Sequence, residues 1–135
     1  MKVILSAVLG VTLVVVPVPA MAHHSFNTFF DISRTIKIEG VVTSFKLVSP
    51  HSDMTVDVTG PDGKVQTWHI TARTGAVNAK KEGWKIAEFI GKRVTVAGNP
   101  TRREGGTAMA AGVVTFLDTG KVVCLGGCPG GPPTE

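Results

Sequence analysis

The chain has no tyrosine, two tryptophans and six phenylalanines. So sparse a set of aromatics argues against a groove that holds nucleic acid by stacking its bases. Charge is thin as well. Fourteen basic and ten acidic residues give a formal charge of +4, and removing Lys2 would leave +3. That excess is weak evidence for a polyanionic partner, so no nucleic acid is expected. There is no glycine-rich phosphate loop, no Ser-His-Asp spacing and no His-Glu-x-x-His helix. Asp31, Asp53, Asp57 and the histidines could act as acid and base, but no motif joins them, and an enzymatic reading is the weaker one. Internal repeats are missing too. The longest apolar run, Val3–Val16, stops short of the roughly 20 residues that a spanning helix needs.

That run has the form of an export signal. Lys2 supplies the positive start, Pro17 and Pro19 break the helix, and Ala20 and Ala22 occupy the −3 and −1 positions of a cut after Ala22. A cut after Ala20, with Val18 at −3, is also permitted. Residues 1–22 therefore read as a signal peptide, and the mature chain of about 113 residues can support one modest core. The expected location is periplasmic or secreted, with no transmembrane segment in the mature chain. In such a compartment the two cysteines, Cys124 and Cys128, favour a disulfide closing a very small loop of little value to stability; a dithiol metal site is the alternative.

The mature chain reads as β-β-β-α-β-β. A long first strand, 34–48, alternates at Ile36, Ile38 and Val42, bends or bulges at Gly40, and resumes at Phe45 and Leu47. The second strand, 52–59, puts Met54, Val56 and Val58 on one face. Gly60-Pro61-Asp62-Gly63 turns it into a third, 64–71, with Val65, Trp68 and Ile70 as the apolar candidates. Thr74 is placed to cap a short helix ending at Lys80-Lys81 and stopped by Gly83. Strands 93–98 and 107–117 follow, the last with Met109, Ala111, Val113 and Thr115 on one face. Arg102-Arg103-Glu104 between them reads as a solvated hairpin tip. The expectation is an all-β fold with one short helix, a five-stranded OB-like Greek-key barrel over 23–121. Trp68, Trp84, Phe89, Val94, Val96 and Val113 are its expected core. Residues 122–135 form a Gly/Pro-rich tail carrying the cysteine pair.

The chain resembles the small exported bacterial proteins of domain-of-unknown-function family 6152. The resemblance rests on His23-His24-Ser25-Phe26, Phe30-Asp31, Gly40-Val41-Val42, Pro50-His51, Asp57-Val58, Trp68, Gly83-Trp84 and Gly98. It spans roughly Ala22 to Lys121. Ser49 stands where the family has Asn, Thr71 where an acidic residue is common, and Leu117-Asp118-Thr119-Gly120 carries one extra residue. The family has no established activity, so the resemblance speaks to fold and compartment.

The histidines carry the most distinctive chemistry. His23 and His24 stand at the mature start, His51 in the bend after strand one, and His69 on strand three. Imidazole suits copper, zinc and nickel. A chain starting at His23 can chelate a metal through its amine and ring Nδ1. His51 or His69 would then complete a three-nitrogen set resembling the histidine brace of exported copper proteins. A chain starting at Met21 would offer an amine, two amides and the His23 imidazole to Cu(II) or Ni(II). Phe26, Phe29 and Phe30 are expected to dock this arm onto the barrel. Two readings follow: a periplasmic copper- or other transition-metal-binding protein, and an envelope module that binds a non-metal ligand or a protein partner. In the second, His51 and His69 are ordinary loop and surface residues.

Overall fold

The computed structural model describes residues 26–126. A one-turn helix α1 (Phe26–Phe29) leads to β1 (Ile36–Lys46), β2 (Asp53–Thr59) and β3 (Val65–Ala72). Helix α2 (Ala76–Lys81) and a 3₁₀ turn (Ile86–Glu88) precede β4 (Arg93–Pro100), β5 (Ala108–Phe116) and β6 (Val122–Cys124). β1 pairs with β2 and β4, β2 with β3, and β4 with β5, all antiparallel. A parallel pairing of β3 with β5, His69↔Ala108 to Ala72↔Ala111, closes the ring. This is a closed five-stranded mixed barrel in the OB order, with the short helix between β3 and β4 as expected.

Two irregularities set which residues face inward. β1 holds β4 with its first half and β2 with its second, and its register to β2 slips between Val42 and Ser44. The extra residue is Thr43, three positions beyond the expected bend at Gly40; it lets Val42 and Phe45 both point into the core. In β5 the register to β4 slips so that Ala97 faces Val113 and Gly98 faces Ala111, and Gly112 is the extra residue at the slip. Met109 and Ala111 point inward before the slip, Val114 and Phe116 after it. The expected inward face of Val113 and Thr115 is thereby corrected, because a bulge inverts the strand's alternation.

Val42, Met54, Val56, Ile70, Val94 and Val96 form the barrel interior, and Phe89 plugs it. The Phe89 ring lies 4.7 Å from that of Phe45, edge-on, and 5.1 Å from that of Phe116. Trp68 and Trp84 are half-buried against this cluster, and Val65 is exposed. α2 is preceded by Gly75 with no side-chain cap. Thr74 is buried instead, and its amide donates to the Leu125 carbonyl (3.1 Å). Gly83, at φ 77°, stops the helix.

Residues 122–125, read from sequence as tail, extend the sheet. β6 pairs with β5 at Val113↔Cys124 to Thr115↔Val122, and Leu125 is fully buried. β3 leaves the edge of β5 at Ala111, and β6 occupies the free length beyond it. The glycines and prolines that suggest a tail begin only at Gly126. Among the described residues no helix is long and apolar enough to cross a membrane. Residues 1–22, expected from sequence to be an export signal, and His23, His24 and Cys128 lie outside the described residues.

Candidate functional site

The amino-terminal arm is tied to the β4–β5 hairpin by its backbone. The Asp31 amide donates to the Pro100 carbonyl (2.8 Å), and the Arg102 amide to the Phe29 carbonyl (2.9 Å). Arg102 Nε also donates to the Asn27 carbonyl (2.8 Å). Arg102, read from sequence as part of a solvated turn, is thus a clasp on the arm. Ser33 donates to Asp31 from its hydroxyl (2.6 Å) and its amide (3.2 Å). These bonds hold the Asp31 carboxyl below its ordinary value, with Arg102 and Arg34 adding to the effect.

This docking brings Phe26 to His51. The rings meet edge to face at 4.5 Å and 86°. Phe26 also stacks with Phe30 at 5.7 Å, and the Arg73 guanidinium lies 5.1 Å from its ring centre. His51 follows the cis Ser49–Pro50 bond and is half-buried. Its Nδ1 lies 3.3 Å from the Arg73 carbonyl oxygen. A carbonyl only accepts, so this contact calls for a proton on Nδ1; in the neutral ring the lone pair is then on Nε2, which makes no hydrogen bond to a described residue. Metal-binding imidazoles are commonly oriented by a carbonyl in this way. Beside His51 runs a groove of about 400 Å³, lined by Phe26, Phe29, Phe30, Thr71, Thr101 and Ala108 as well.

With the barrel, the arm and its histidine placed, comparison with known proteins adds one result. The chain matches a family of unknown function (DUF6152) over residues 10–111. It belongs to that family. No curated protein and no solved structure matches it. The matched range takes in the arm, His51, His69 and Arg73, and leaves β6 and both cysteines outside.

His69 is not brought to His51. It is exposed, facing Thr55 in register, while Ser52 accepts from the Ala72 amide and so sets His51 level with Arg73. The two histidines stand four positions apart along the ribbon, about 13 Å. Among the described residues no three His, Cys, Asp or Glu side chains gather as a metal cluster. Cys124 ends β6, and its expected partner Cys128 lies outside the described residues. Sequence reasoning did not find Arg73 or Asn99. Arg73 Nη2 donates to Asn99 Oδ1 (3.3 Å), and Asn99 Nδ2 to the Arg34 carbonyl (2.7 Å). Neither residue belongs to a motif; only the barrel's closure puts them together.

Proposed function

We propose that the protein is exported and binds a transition metal, copper(II) foremost, through His51 and the histidines that precede the docked arm. The observation that carries this reading is the His51 ring, seated by Phe26 and turned by the Arg73 carbonyl so that Nε2 is free to ligate. His23 lies three residues before Phe26, within about 10 Å of chain. A cut after Ala22 would give His23 a free amine beside its imidazole, and two nitrogens plus His51 make a ligand set suited to Cu(II). Export itself rests on the sequence of the first 22 residues. A second reading, an envelope module for a non-metal ligand, is favoured by the aromatic groove beside His51.

Mass spectrometry of exported protein should give His23 as the first residue. Calorimetric titration of that form with Cu(II) should give one tight site, weakened by about tenfold or more in His51→Ala, if loss of a ligand costs at least what loss of an orienting group does. Residues left in front of His23 should weaken it too. His69→Ala should bind as the parent does. Equal affinity in all four forms would leave no organised metal site, and the groove's non-metal reading would stand.

A further inference from the structure

A second cleft, of about 490 Å³, is lined by a different set of residues and shares only Thr101 with the aromatic groove. Its chemistry is different. Arg34, Arg102 and Arg103 line it together with Trp68, Asp31 and Glu104.

The backbone holds these groups in place. The Arg34 amide donates to the Asp31 carbonyl (3.1 Å), and the Arg34 carbonyl accepts from Asn99. Arg103 sits in a tight hairpin: its amide donates to Thr101 Oγ1 (3.2 Å), and its carbonyl accepts from the Gly106 amide (3.1 Å). A Cβ on Gly106 would stand 2.6 Å from Thr101 Cγ2 and 3.1 Å from the Arg103 carbonyl oxygen, so the hairpin's path requires a glycine there.

The five arginines of the described residues divide by partner. Arg93 binds Glu39 at 2.8 Å, Arg73 lies on Phe26 and Asn99, and Arg102 clasps the arm and stands 4.0 Å from Asp31. Arg34 and Arg103 make no side-chain hydrogen bond or ion pair with a described residue, and both face this one cleft. The indole N–H of Trp68 has no hydrogen-bond partner among the described residues either, and it is not sealed from solvent. Two guanidinium forks with no hydrogen-bonded partner among the described residues, beside a half-buried indole, form a recognition set for an oxyanion with a flat body.

We infer that this cleft binds a small organic oxyanion, a carboxylate or phosphate ester with a flat apolar moiety, its charge on Arg34 and Arg103 and its face on Trp68. The volume lies in the range of small-ligand sites. One aromatic and a net excess of one positive charge suit a small molecule better than a nucleic-acid strand, which calls for successive stacking platforms.

The test is run with chelator present, so that its outcome is independent of metal binding. Trp84→Phe leaves Trp68 as the sole indole, whose fluorescence is followed during titration with phenyl phosphate and with benzoate. Calorimetry on the unaltered chain repeats each titration without relying on that variant. Saturable binding of either probe is expected, and the tighter of the two identifies the oxyanion. Arg34→Ala with Arg103→Ala should weaken it by about tenfold or more, the scale of charge-assisted hydrogen bonds. Benzamide, which lacks the charge, should bind far more weakly. The inference is overturned if neither probe binds, if the double variant binds as well as the parent, if inorganic phosphate equals phenyl phosphate, or if a thymidine oligonucleotide outcompetes both.

Discussion

Gly40 and Gly112 are both strand glycines, but they are held by different constraints. A Cβ on Gly40 would meet the Asp57 carbonyl oxygen at 2.3 Å and Val56 Cγ1 at 2.8 Å, where β1 passes from one partner strand to the other. One on Gly112 would find nothing closer than the Ala97 oxygen at 3.6 Å, an ordinary contact. Gly40→Ala should therefore cost about 1–3 kcal/mol or more through forced backbone movement, and Gly112→Ala under about 1 kcal/mol, as read by urea unfolding. At the surface, Lys92 Nζ donates to Asp118 Oδ2 (2.7 Å) and holds that carboxyl below its ordinary value of 3.8. A carboxyl depressed in the folded state adds stability that is present above the unfolded value and is lost as pH falls through the folded one. Melting temperature followed from about pH 5 to pH 2 should fall less steeply in Asp118→Asn than in the parent. The difference should be small, because both side chains are nearly half exposed.

At the scale of elements, alternation in the sequence identified the five barrel strands but not β6 and not every inward face. β2 has no bulge, and Met54, Val56 and Val58 all turn inward as their spacing implies. In β1 and β5 one extra residue inverts the parity, and no local signal marks the slip at Thr43. The aromatic plug shows a related limit. Trp84 and Phe89 both read as core, but only Phe89 is enclosed, at 2% exposure, while Trp84 covers its rim at 6.5 Å. Phe89→Ala should cost about 3–5 kcal/mol and Trp84→Ala clearly less, because the cost grows with the cavity left behind. Equal losses in thermal unfolding would mean that Trp84 seals the barrel as fully as Phe89 does. The candidate site was half legible in the same way. Phe26 as an anchor followed from aromatic spacing, whereas its seat on His51 and Arg73 depends on contacts between residues far apart in the chain.

For the whole molecule, the sheet edge is completed by β6 as well as by the five strands that close the barrel. β3 covers β5 only as far as Ala111, so without β6 the edge from Val113 to Thr115 would present unpaired amides and carbonyls. Leu125 then enters the interior; its amide donates to the Gly112 carbonyl (2.8 Å), and its carbonyl accepts from Thr74 at the start of the α2 segment. It thus joins the bulge in β5 to the connection that carries the aromatic plug. Leu125→Ala should cost about 2–5 kcal/mol, the range for a fully buried leucine. A chain ending at Gly120 should lose more, since it gives up Leu125, the β6 pairing and the Lys121–Glu88 ion pair together. A chain ending at Gly126 should melt close to the full-length protein, because it keeps all three. Thermal unfolding of the three forms checks this order. If the chain ending at Gly120 were as stable as the one ending at Gly126, the barrel would end before β6, as the sequence reading had it.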